Sequence, residues 1–213
     1  MSKAEYVCGT CKVHACSKGN REKMPLSCPS LDELKDDIKN KYSNEDLFLA
    51  RNAALVESEG YCEKTRVEEI MDFARKCGFK NLGLAFCLGL SKEAAILERV
   101  LRANGFIVNS VVCKNGAVPK EEVLMISEQE KVRPGTFEAM CNPIGQAVYL
   151  NKAETELNVV LGLCVGHDTL FFKHSQAPVT VLAAKDRVLG HNPLAALYLA
   201  DGFYRKKLFP DLE

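Results

Sequence analysis

The stretch LNVVLGLCVGHD, residues 157–168, decides how the rest of the chain is read. Its apolar run, 157–163, predicts a buried strand. Cys164 closes that strand, and Gly166 then turns the chain toward a helix that starts at His167 and Asp168. Three further runs read in the same way: LGLAFC at 82–87, FIVNSVV at 106–112 and VTVLAA at 179–184.

Helical patterns fill the gaps between these runs. Thr65 and Glu68 form a capping box ahead of Val67, Ile70, Met71, Ala74 and Cys77, and Gly78 stops that helix. Ser91 reads as the cap of a second helix, with Ala94, Ile96, Leu97, Val100 and Leu101 inward and Asn104 and Gly105 at its end. Asn142 with Pro143, and Asn192 with Pro193, are helix-start signals. Strands alternating with helices imply parallel pairing through right-handed crossovers. The expected fold over residues 61–213 is therefore α/β, an open and mainly parallel sheet of about four strands with flanking helices, Rossmann-like. The long polar segment 114–135, with a short helix expected at 120–127, has the length of a functional lid.

This topology sorts the cysteines. In a parallel sheet every strand ends at one edge and every flanking helix begins there. Cys87, Cys113 and Cys164 follow strands, and Cys62 and Cys141 precede helices. All five are expected at the carboxyl edge, where open α/β sheets bind ligands. Cys77, at a helix C-terminus, falls at the other edge. The convergence points to a metal or iron–sulfur centre; the competing readings are buried apolar thiols and redox-active pairs. Around it stand candidate catalytic residues. His167 opens a helix N-terminus whose N–H groups favour an anion, and is a candidate general acid or outer donor. Lys185, Arg187 and His191 follow the last strand and are placed to hold an anionic substrate or to balance cluster charge. The plainer reading of Asp186 and Arg187 is a surface ion pair.

Residues 1–30 form a cysteine-rich module. Cys8, Cys11, Cys16 and Cys28 are spaced C-x2-C-x4-C-x11-C-P, with few large apolar side chains between them. Such a segment cannot build a core, and metal ligation would organise it. The clustered spacing resembles [4Fe–4S] ligation; zinc is the alternative, although its usual second C-x2-C pair is absent. Residues 31–60 read as a helical connector. Ser30 and Glu33 form a capping box for its first helix, and Asn44 caps a second that Gly60 stops.

Composition narrows the function classes. The 213 residues include 28 Lys+Arg and 28 Asp+Glu, a net charge of zero that argues against nucleic-acid or membrane-surface binding. No apolar run reaches the roughly 18 residues of a membrane span, and the N-terminus lacks a secretory core. A cytoplasmic setting is expected. Disulfides are rare there, so ten cysteines point to metal.

The strings CGTCKVHACSKG, GYCEKTRVEEIMDFA, FEAMCNPIGQA and LNVVLGLCVGHDTLFFKHSQAPVTVLAAKDRVLGHNP resemble an uncharacterised family of predicted metal-binding proteins, found largely in anaerobic bacteria and archaea. The resemblance covers nearly the whole chain, and GLCVGHD and KDRVLGHNP are its most specific parts. It implies metal binding and a prokaryotic cytoplasmic setting, and no particular reaction. The leading expectation is an iron–sulfur protein with a [4Fe–4S]-type N-terminal site and a second cluster at the sheet edge. That second site would do redox or Lewis-acid chemistry on a small anionic substrate, served by a redox partner protein. The alternatives are a noncatalytic zinc-binding or metal-sensing protein, and a thiol enzyme carrying sulfur on Cys164 or Cys62. Oligomerisation is compatible with all three.

Overall fold

The computed structural model describes residues 6–32 and 34–210, with backbone alone at 34–36. The chain divides into two compact units, Met1–Leu55 and Val56–Glu213. In the first, four short 3-10 turns, Cys8–Thr10, Ala15–Lys18, Arg21–Lys23 and Pro29–Leu31, precede helix α1 (Leu34–Lys39) and most of α2 (Asn44–Gly60). The cap of α2 is Ser43 rather than Asn44. Its hydroxyl accepts from Asp46 N, and the Asp46 carboxylate accepts from Ser43 N at 2.9 Å, a capping box one residue earlier than the sequence suggests. The Ser30–Glu33 box falls partly on Glu33, outside the described residues.

The second unit is an α/β fold. Strands β1 (Asn81–Phe86), β2 (Ile107–Val112), β3 (Leu157–Leu161) and β4 (Val179–Ala183) pair in the order β2-β1-β3-β4, all parallel. The central pair is buried nearly throughout, which is why 82–86 and 157–161 carry no alternation. The helices are α3 (Arg66–Lys76), α4 (Ser91–Ala103), α5 (Lys120–Leu124), α6 (Pro143–Lys152), α7 (His167–His174), α8 (Leu194–Tyr198) and α9 (Arg205–Leu208). Thr65 and Glu68 form the expected capping box of α3. Ser91, by contrast, is the first residue of α4, because a 3-10 turn at Leu88–Leu90 carries the chain straight into that helix. Asn192 makes no side-chain cap; the expected last helix is two short ones, α8 and α9.

Each face of the sheet has its own core, as the two-residue period of a strand requires. On one face Leu82 and Leu84 of β1 and Leu157, Val159 and Leu161 of β3 meet Ile70, Met71 and Ala74 of α3 and Leu97 and Leu101 of α4. On the other, Ala85 and Val160 meet Ala147 and Leu150 of α6 and Phe171 of α7, together with Cys87 and Cys113. Buried Asn158 of β3 is satisfied by Thr155 and Ser175, each at 2.8 Å. Its partner across the ladder is Gly83, where a Cβ would meet Asn158 Oδ1 at 1.9 Å. The long connection after β2 folds on itself. Pro119 bridges Ala139, Lys120 pairs with Glu138, and the ammonium of Lys131 is held by Glu121 at 3.0 Å and Glu128 at 2.8 Å.

Candidate functional site

The order β2-β1-β3-β4 places a topological switch point between β1 and β3, and a ligand crevice is expected at the carboxyl ends of those strands. Cys87 and Cys113 stand one residue beyond β1 and β2. Their amides still continue the ladder, Cys87 N to Leu161 O at 3.1 Å and Cys113 N to Phe86 O at 2.9 Å. Cys141 lies just before the Asn142 cap of α6, and Asn142 N donates to Cys113 O at 2.7 Å. These bonds gather three sulfurs, with the thiol of buried Cys113 hydrogen-bonded to both Cys87 and Cys141.

The three thiols do not titrate alike. Donation from Cys113 pulls Cys87 down to about 5, helped by the Gly89 amide and the Lys185 ammonium. Cys141 is likewise lowered to about 5 by Cys113, with Lys114 and His167 adding positive charge. Cys113, facing two thiolates from a buried position, is pushed up and holds its proton. It has one S–H, so it serves one outer thiolate at a time. The amide of Leu88 also donates to Cys113 Sγ, at 3.3 Å.

Cations ring this group. A Cβ at Gly89 would stand 3.2 Å from Lys185 Nζ and 3.9 Å from Cys87 Sγ, so glycine leaves the ammonium its place beside that sulfur. Arg187 donates from Nη2 to Cys164 Sγ at 3.0 Å and lies within Coulombic range of Cys87 and Cys141. Beneath the group, Gln146 of α6 donates from Nε2 to Phe86 O at 3.1 Å and Val111 O at 2.7 Å, tying the ends of β1 and β2 together. Among the described residues its Oε1 is buried without a partner, as is Oδ1 of Asn115.

Several expectations change here. Asp186 and Arg187 do not pair with each other. Asp186 Oδ1 accepts from Val188 N and Leu189 N, which frees Arg187 for the thiol. Two of the three amides of the GHD turn are not free for an anion. His167 N and Asp168 N both donate to Cys164 O, at 3.0 and 3.1 Å, and Thr169 N donates to Asp168 Oδ1. The His167 side chain still lies near enough to Cys141 to act on it electrostatically. His191, at φ +67°, accepts from Asp186 N through Nδ1 at 3.2 Å and donates its own amide to Asp186 O. It braces the 186–191 turn that presents Arg187. Cys62 is exposed at φ +59° on the turn before α3, and among the described residues no hydrogen bond joins it to the other four edge cysteines. Lys114 is the residue that sequence reasoning passed over. Its signal was its position, a cation directly after the strand-terminal Cys113.

In the first unit, Cys8, Cys11, Cys16 and Cys28 line one cavity of about 150 Å³, together with His14 and Met24. The sulfur of Cys11 accepts from the backbone N–H groups of His14 and Val13, which lowers its pKa. Four soft thiol donors around one space suit an iron–sulfur cluster or zinc. Among the described residues no group of three or more Cys, His, Asp or Glu side chains is already arranged to hold a metal ion.

Residues 28–182 match the family described as "Protein of unknown function (DUF1847)". The chain belongs to the DUF1847 family. The matched span includes every cysteine of the sheet edge, and the match starts at Cys28. "Uncharacterized protein MJ0455" of Methanocaldococcus jannaschii is 41% identical over 201 residues, covering 94% of the DUF1847 chain and 97% of that relative. No solved structure matches. Among the described residues no helix is long and apolar enough to cross a membrane.

Proposed function

We propose that this DUF1847 protein is a cytoplasmic iron–sulfur protein with two cysteine-ligated centres, the second acting on a small anionic substrate. The observation that carries the reading is the shared cavity of Cys8, Cys11, Cys16 and Cys28, in a segment where Ala15 is the one buried residue among those described. A [4Fe–4S] cluster held there supplies one-electron transfer, fed by a redox partner protein. Cys87, Cys113 and Cys141 would hold the second group, with Cys164, beside Arg187, as the fourth donor. Cys113 gives up its proton on ligation, as metal binding to thiols requires. Lys114, Lys185 and Arg187 then offset the thiolate charge and attract the substrate anion. His167, beside Cys141, is placed to donate a proton to a bound anion.

Purification without oxygen tests this. The expected product is brown, absorbs as iron–sulfur proteins do, and holds about four to eight irons per chain. Colourless protein with stoichiometric zinc would contradict it. That result would support the second reading, a noncatalytic zinc protein, which His14 favours by lining the same cavity as the four cysteines.

A further inference from the structure

A cavity of about 810 Å³ opens beside the sheet-edge thiols. Its near wall is made by the residues that touch those sulfurs. Leu88 donates its amide to Cys113, Lys114 acts on Cys141, and Arg187 donates to Cys164. Its far wall is the long connection after β2, through Val132, Arg133 and Phe137. The volume lies in the range of organic ligand sites, about 300–1,000 Å³.

The lining has a definite chemistry. Lys114, Arg133 and Arg187 contribute three positive charges, and Glu138 is the one carboxylate. That carboxylate is committed: Lys120 holds one oxygen, and Val132 N donates to the other at 3.0 Å. Among the described residues, Arg133 pairs with no carboxylate. The cavity is therefore net positive. Yet Val132, Phe137 and Leu88 keep 79%, 68% and 54% of their surface open. Large apolar side chains held open around a cationic cavity have no use for a bare inorganic oxyanion, which they cannot solvate. A neutral apolar molecule would leave Arg133 without a counter-charge.

We propose that this cavity binds an organic anion, a carboxylate or phosphate joined to an apolar or aromatic portion, and delivers it to the sheet-edge site; this rests on the reading of that edge as the functional centre. The acidic group is held by charge-assisted hydrogen bonds from Arg133, Arg187 and Lys114, and the apolar portion lies on Phe137 and Val132.

Calorimetric titration of the anaerobically purified protein tests it, with phenyl phosphate, benzoate, phenol and inorganic phosphate as probes. Phenyl phosphate or benzoate should bind, and whichever binds more tightly names the acid. Phenol and inorganic phosphate should each bind at least about tenfold more weakly than that probe, having lost one half of the recognition. Arg133→Gln and Phe137→Ala, both at exposed positions, should each weaken the better probe about tenfold, with far-UV dichroism and metal content unchanged. The proposal is overturned if neither aromatic anion binds at millimolar concentration, if inorganic phosphate binds as well as phenyl phosphate, or if the two variants bind like the parent. Metal content of the same samples separates the two readings. Metal-free protein with Arg133-dependent binding keeps the cavity and removes the iron–sulfur centres. Iron-loaded protein that binds no aromatic anion removes the cavity proposal alone.

Discussion

Residues 8–28 and the carboxyl edge of the sheet both collect thiols, but the surrounding chain differs. In the first, Cys8 and Cys16 lie on 3-10 turns and Cys11 and Cys28 flank such turns, all four exposed or half-buried with almost no apolar burial beside them. In the second, Cys87 and Cys113 are part of a hydrophobic core and their amides extend the sheet ladder. Hydrogen-bonded backbone and apolar packing position the edge thiols whether or not a ligand is present. The N-terminal turns carry mostly local hydrogen bonds among the described residues, so under the proposed function a bound metal would supply much of their stability. Under the proposed function one site would be organised by what it binds, whereas the other is organised in advance.

Removing metal should break this comparison most visibly. Structural metal sites of this kind contribute on the order of 10 kcal/mol, so chelation or Cys16→Ser should abolish hydrogen-exchange protection over residues 6–32. Strands β1 and β3 should keep theirs. Equal loss in both units would show that the sheet edge also depends on metal. The reverse experiment damages only the sheet. Gly162 has φ +67°, and a Cβ there would meet Leu90 Cδ1 at 2.1 Å. Gly162→Ala should cost about 3 kcal/mol in urea unfolding of the α/β unit and leave the N-terminal metal in place.

Cys113→Ala sharpens the comparison at the edge itself. In metal-free protein the first of the outer thiols should ionise near pH 5, as read from the rate of alkylation by iodoacetamide. Without the Cys113 proton that midpoint should rise toward the ordinary thiol value of about 8.5. The stability consequence has a fixed sign. Lowered thiols stabilise the fold fully above their unfolded pKa, and that contribution fades as pH falls through about 5. Cys113, whose pKa is raised, acts oppositely and destabilises above the ordinary thiol range. Unfolding free energy should therefore decline from neutral pH toward pH 5 in the parent, and less steeply in Cys113→Ala. The smallest effect is expected from Lys185→Gln. It should raise the Cys87 midpoint by less than Cys113→Ala does, because the Cys113 proton is the larger cause of the lowering. A larger effect would make the ammonium the main partner of that sulfur.

The sheet was legible because four apolar runs separated by capped helices allow few arrangements other than parallel pairing. The edge position of Cys87, Cys113 and Cys141 follows from that topology alone. The finer partners do not follow, because each is decided by a turn. Cys62 precedes a helix as expected, yet its left-handed backbone sets it on an exposed corner. His191 lies near the edge in sequence, but its Nδ1 is taken by Asp186 N. Arg187 reads as an ion-pair partner of Asp186 until the turn closes, when two backbone amides take that carboxylate and the guanidinium reaches Cys164. Strand ends were off by a residue or two for a similar reason. Apolar character continues through Leu163 after β3 has ended at Leu161, where Gly162 at φ +67° turns the backbone.

The measurement that bears most directly on two separate centres is electron paramagnetic resonance of anaerobically purified, dithionite-reduced protein, with iron analysis, on the parent, Cys8→Ser and Cys113→Ser. Two iron–sulfur signals are expected in the parent, the first lost in Cys8→Ser alone and the second lost in Cys113→Ser alone. A parent with no iron–sulfur signal, or a single signal that neither substitution removes, would contradict it.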